Sequence, residues 1–447
     1  MQPDQLPVYA TAALILGMVL SQLWRRSFDP FAPIWLFLAG YAQLYVIQAI
    51  SYREWALRAR GPELVTSANF RALWALVWFL VVYHSGVGRW LALRMPSVPR
   101  NWSVGLITGA TPVMVAWGAL CAGIYANAAT EDLSAEGVLF RQFPILLLEA
   151  GVLLLVTGRR LSAPRPLYTA VGLALVVGYL FIFMFNGKRS HSMIAVLAGV
   201  CAFYLPRWRR PSIAVMGATG VLCVVAVTLA LGWRGNSSHQ RYERSPAGFL
   251  KFVAEFDPSD ALVNMNLKER DDGGSGAEVS KETEEYGGFL LMMATVPHLS
   301  GYDYGACYLR VVSSYIPRIV WANKPIYGRE QWINAWIAGS EQVRDSKFTG
   351  PAIGILGAGQ LNGGATGTAI MMAVVAAILR AAYDYYRTYA DRPWAQAWWS
   401  MTYFNAWMLT ANDDPSVFFY YLYGHTILAP MALLWLAHKL GVGGRSA

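Results

Sequence analysis

Charge is scarce in this chain. Asp, Glu, Lys and Arg make up 14% of its 447 residues, where a soluble globular domain carries about 25%. With 55% of residues apolar, the chain cannot maintain a water-facing surface along its length. Cysteine is also rare: Cys121, Cys201, Cys223 and Cys307 form no CxxC pair, and three of them lie within apolar runs. That excludes a disulfide framework and a zinc site. The His residues form no cluster at metal spacing, so no metal and no cofactor are expected. There is no internal repeat and no stretch with the composition of an appended soluble domain, so residues 1–447 are expected to form a single integral membrane domain. The first residues, Met1 to Asp4, contain no basic region, and no cleavage site follows, so the first apolar run is expected to stay in the mature protein.

Long apolar runs are abundant instead. They fall near 8–23, 31–50, 71–88, 102–127, 142–157, 167–185, 191–205, 212–233, 351–379, 394–411 and 417–437. A bilayer needs about 20 apolar residues per helical span, so the expected fold is an all-α polytopic bundle of about eleven spans. The net charge of +9 lies mostly in the short loops between these runs, so it calls for no nucleic-acid partner. Arg25, Arg26, Arg89, Arg94, Arg100, Arg159, Arg160, Arg165, Arg207, Arg209 and Arg210 fall at alternate loops, followed by Arg380, Arg387, Arg392, Lys439 and Arg445. Under the positive-inside rule that face is cytoplasmic, which puts the N-terminus outside and the C-terminus inside. The opposite face holds Glu131, Asp132, Glu136, Asp413 and Asp414.

The same count makes residues 234–350 one large extracytoplasmic loop. Its acid- and glycine-rich middle, 268–285, is expected to be solvated. Residues 287–301 are apolar but too short to span, which suggests a re-entrant or interfacial helix. Residues 308–336, aromatic and interrupted by Pro317 and Pro325, suggest a folded lid.

Two places break the charge rule, the loop 51–70 and the turn Asn186-Gly187-Lys188-Arg189-Ser190-His191-Ser192. Asn-Gly marks a turn, and Ser190 or Ser192 is placed to cap the helix that follows. Backbone amides at a helix start favour an anion, and an arginine beside them adds a bidentate phosphate donor. The plainer reading of each cation is an interfacial anchor resting among lipid phosphates. Arg234, directly after the eighth run, and Arg318 and Lys324, in the stretch Tyr315-Ile-Pro-Arg-Ile-Val-Trp-Ala-Asn-Lys-Pro325, share that choice. Glu149 lies inside the fifth run, where a structural hydrogen bond to a neighbouring helix is one expectation.

The stretch Pro317-Arg-Ile-Val-Trp-Ala-Asn-Lys-Pro325 resembles the Pro-Arg-x-x-Trp-x-x-Lys-Pro signature of the O-antigen polymerases, the Wzy-type oligosaccharide repeat-unit polymerases. Gly187-Lys-Arg-Ser is similar to that family's mid-chain span start, and Pro351 to Gly367 to its Gly-Glu-x-x-x-Asn-x-Gly-x-x-Gly span. The similarity covers roughly residues 170–435. Where the family commonly has Glu, this chain has Ala358, with Gln360 close by.

The resemblance implies a GT-C-like glycosyltransferase of the bacterial inner membrane. It would polymerise undecaprenyl-diphosphate-linked oligosaccharides into O-antigen or exopolysaccharide, with a chain-length regulator and a flippase as partners. It also implies Arg189 and Arg318 as catalytic cations, with Lys188, Arg234, Lys324, Trp321 and Asn362 binding substrate. For the general base, His298, Glu285 and Asp303 lie in the large loop, and His298 is the first choice because its segment is apolar. A ligase moving finished glycan to another acceptor would share this arginine logic. An anion transporter is a third reading, against which stand the missing repeats and the gathering of polar features at one face.

Overall fold

The computed structural model describes residues 2–100, 102–127, 143–160, 164–239, 242–243, 245–256, 285–309, 316, 320–321, 323, 334–335, 352–411 and 434, without the side chains of 125–127, 234–239 and 246. Its regular elements are all helical among these residues. They are α1 (Leu6–Trp24), α2 (Pro33–Ser51), α3 (Arg53–Arg60), α4 (Pro62–His84), α5 (Val104–Asn127), α6 (Ile145–Arg159) and α7 (Pro166–Phe185). There follow α8 (Arg189–Tyr204), α9 (Ile213–His239), α10 (Pro246–Ala254), α11 (Glu285–Thr295), α12 (Gly354–Thr388), α13 (Pro393–Thr402) and α14 (Asn405–Ala411). Among the described residues, seven segments are long and apolar enough to cross a membrane: α1, α2, α4, most of α5, α7, most of α9, and α12. The protein is membrane-embedded. Of the other expected spans, α6 and α8 are helices of 15 and 16 residues. The run 394–411 is split into α13 and α14, and 417–437 falls outside the described residues apart from Leu434.

Proline sets many of the helix starts. Pro33, Pro62, Pro166, Pro246 and Pro393 all sit in a first turn, where the missing N–H costs nothing and the fixed φ is already helical. The Pro62 start corrects one expectation. The third span begins nine residues before 71, so Arg71 lies inside α4 rather than at its mouth.

The chain divides into two compact units, Met1–Met95 with Asn266–Tyr385 and Asn405–Tyr420, and Pro96–Met265 with Tyr386–Phe404 and Tyr421–Ala447. In the first, α2 packs on α14 and α1 on α4. The Phe37 and Phe79 rings stack 4.0 Å apart, and the Tyr41 hydroxyl donates to Ala72 O at 2.6 Å. Helix α11 falls in the apolar segment expected to be re-entrant or interfacial. It is buried in protein, with Tyr286, Phe289, Leu290, Leu291 and Met292 fully enclosed, because α3, α4 and α2 wall it in.

Helix α12 is broken. Gly363 and Gly364 leave helical geometry, and Gly364 takes φ 63°, a region that glycine enters without steric cost. A methyl on Gly359 would lie 2.7 Å from Thr368 Cα. In a straight helix these residues would be about 13 Å apart at 1.5 Å rise per residue, so the two halves fold against each other.

In the second unit, glycines let backbones touch. A Cβ on Gly151 would meet Gly172 O at 3.0 Å, and one on Gly199 would meet Val176 Cγ1 at 2.9 Å, so α6, α7 and α8 approach to small-residue distance. Arg159 donates to Phe203 O at 3.2 Å and lies within electrostatic range of Arg207 and Arg209. Three of the arginines expected on one membrane face therefore gather at one end of this unit.

Candidate functional site

The basic turn is built by the end of α7. Lys188 N donates to Phe183 O at 2.9 Å and Gly187 N to Met184 O at 3.0 Å, the paired bonds of a Schellman cap, with Gly187 at φ 66°. This closes α7 and aims the chain straight into α8, whose N-cap is Lys188. The expected serine cap does not form. Ser190 and Ser192 lie within the first turn, and the Ser192 hydroxyl donates back to Lys188 O at 3.0 Å. No side chain therefore caps the first amides of α8.

Arg189 is half-buried at this start, and its side chain has no ion-pair or hydrogen-bond partner among the described residues. A helix N-terminus carries partial positive charge, so two cations there oppose the dipole unless an anion joins them. His191 is stacked on Phe183 with ring centroids 4.4 Å apart, which roots this corner in the bundle.

Arg234 lies inside the final turns of α9 rather than after it, because the helix continues to His239. Its neighbour Trp233 is 4% exposed and packs against Phe185, Phe249 and Phe252, so Trp233 is a core residue and not an interfacial anchor. Phe185 immediately precedes the turn. The backbone of Arg234 thus shares this end of the unit with Lys188 and Arg189, while its side chain is outside the described atoms.

A second polar group forms in the first unit. Arg71 Nη1 donates to Gln360 Oε1 at 2.8 Å, and Gln360 Nε2 donates to Val296 O at 2.6 Å. Asn362 donates to Ala358 O at 2.9 Å, and its oxygen accepts from Gly305 N at 2.9 Å and Cys307 Sγ at 3.4 Å. Asp303 accepts from Cys307 N at 2.7 Å while its own amide donates to Leu361 O at 2.9 Å. Asn362 therefore pins the 303–308 turn to the first half of α12, a positioning task that occupies most of its polar capacity. Ala358, where a family carboxylate was expected, is fully buried and touches no water.

Of the base candidates, His298 is exposed and makes no side-chain hydrogen bond among the described residues. Glu285 is 4% exposed and accepts from Gln48 Nε2 at 3.1 Å. It belongs to a buried relay in which the Tyr286 hydroxyl donates to Asn69 at 2.7 Å, Asn69 donates to Asp4 O at 2.9 Å, and Arg53 pairs with Asp4 at 2.6 Å. Burial pushes the Tyr286 phenol above its ordinary range, so it acts as a neutral donor. Trp321 is 36% exposed. Arg318 and Lys324 lie outside the described residues. Glu149 departs from expectation: both its oxygens are buried, and neither has a hydrogen-bond partner among the described residues. The described residues contain no group of three metal-ligating side chains.

Sequence reasoning missed Arg71. Its signal was an arginine opening the apolar run 71–88, since an ionisable group within a span marks a site by default.

These features define an all-helical membrane protein with cationic groups at helix starts and breaks. In comparisons with family models, with curated proteins and with solved structures, nothing matches the chain.

Proposed function

We propose that this chain is a GT-C-like membrane glycosyltransferase of about eleven spans in the bacterial inner membrane, N-terminus out and C-terminus in. It joins oligosaccharide repeat units carried on undecaprenyl diphosphate at the outer face, working with a flippase and a chain-length regulator. The observation that carries this reading is Arg189 at the uncapped start of α8, beside Lys188 and without a counter-ion among the described residues. The gathering of Arg159, Arg207 and Arg209 at one end of the second unit supports the orientation.

In the reaction, the acceptor sugar's hydroxyl oxygen bonds to the anomeric carbon of the growing chain. The bond from that carbon to the diphosphate oxygen breaks, and the electron pair leaves with undecaprenyl diphosphate. The hydroxyl proton passes to a base, and His298, an exposed imidazole, is the candidate named for it. Charge develops on the leaving diphosphate, so fixed cations aimed there lower the barrier most. Lys188, Arg189 and Arg234 supply them in the second unit. Substrate roles for Arg318, Lys324, Trp321 and Asn362 rest on the resemblance alone.

Arg189→Ala tests this, in a strain where the variant inserts normally. Accumulated single-repeat glycan is the expected result. Full-length glycan left on its carrier would point to a ligase, and undiminished long-chain polysaccharide would refute the role of Arg189.

A further inference from the structure

Arg71 is a cation inside an apolar helix, and no ion pair between described residues includes it. Its polar contact among the described residues is neutral. Gln360 is 5% exposed, and because its amide nitrogen must donate to Val296 O, its oxygen is obliged to face Arg71. Gln360 therefore fixes the guanidinium without cancelling its charge. Among the described residues one of the five N–H donors is used, which leaves the rest of the fork for a bidentate anion.

The surroundings suit such a ligand. Tyr302 lies within electrostatic range of Arg71, and its hydroxyl would be 2.8 Å from a Cβ at Gly364. This lays a phenol against bare backbone at the α12 break. Trp74 sits one turn along α4, with its ring centroid 6.0 Å from the guanidinium.

We propose that Arg71, oriented by Gln360 beside Tyr302 and the Gly363–Gly364 break, is a binding site in the first unit for a phosphate-bearing group, either an isoprenoid diphosphate or an anionic phospholipid headgroup. The preference for an anion rests on Arg71 alone, while the diphosphate identity rests on the function proposed above.

The test uses the full-length protein in phosphatidylcholine nanodiscs, titrated with farnesyl diphosphate, and in a second set doped with phosphatidylglycerol, whose retention is counted by native mass spectrometry. Arg71→Gln removes the charge. Gln360→Glu keeps the arginine and neutralises it in place, so a folding defect in one variant does not decide the matter. Weakening of farnesyl diphosphate binding by about tenfold or more in both variants supports a diphosphate site, as expected when a charge-assisted contact is lost. Unchanged diphosphate binding with lost phosphatidylglycerol retention supports a headgroup site. If both ligands bind both variants as they bind the parent protein, the proposal is overturned. Failure of the polymerase reading would show instead in the Arg189→Ala glycan profile, which leaves binding at Arg71 untouched.

Discussion

Two glycines of α7 provide a matched pair of substitutions with opposite expected outcomes. A methyl on Gly172 would lie 2.8 Å from Gly151 O and 2.9 Å from both Leu155 N and Leu155 Cγ, whereas one on Gly178 meets nothing within 4 Å. Ordinary carbon contacts need about 3.5–4.0 Å, so Gly172→Ala forces α6 and α7 apart by a sizeable fraction of an ångström against backbone that cannot swing away. Overpacking of this kind costs about 1–3 kcal/mol, while alanine returns close to 1 kcal/mol of helix propensity. The expected net effect is a loss of up to about 2 kcal/mol for Gly172→Ala and a gain of up to about 1 kcal/mol for Gly178→Ala. Thermal unfolding of both purified variants in one detergent, followed by fluorescence, gives the comparison, with Gly172→Ala melting several degrees below Gly178→Ala. If Gly172→Ala melts at or above Gly178→Ala, the close α6–α7 crossing is wrong.

Two further substitutions probe buried polar groups. Tyr286→Phe leaves the Asn69 oxygen, on a residue 3% exposed, without its donor, so stability should fall by about 1–3 kcal/mol in a denaturation experiment. Glu149→Leu replaces a carboxyl with no hydrogen-bond partner among the described residues by an apolar group of similar size. A rise of about 1–3 kcal/mol in stability is expected, and a loss would reveal a partner the geometry does not contain.

How much of this was legible in the sequence depended on range. Hydropathy located α1, α2, α5 and α7 to within a few residues, because that signal is local. The start of α4 was hidden because Ser67, Asn69 and Arg71 look like loop residues. They are tolerated in a helix there because Asn69 and Arg71 are bonded by Tyr286, Asp4 and Gln360 from distant parts of the chain. The break in α12 was equally obscure, since its glycine-rich stretch reads as one continuous apolar run. Among site residues, Lys188 and Arg189 were visible because turn and helix start are contiguous. Arg71 and Gln360 stand 289 positions apart, and only folding brings them together.

A structure of the full-length protein with an isoprenoid diphosphate bound tests the proposed grip of the Lys188–Arg189 turn on a lipid-linked diphosphate. Phosphate oxygens are expected within hydrogen-bonding distance, about 3 Å, of the Arg189 guanidinium and the first amides of α8. Diphosphate found away from this turn, with Arg189 turned into the lipid, would overturn that role.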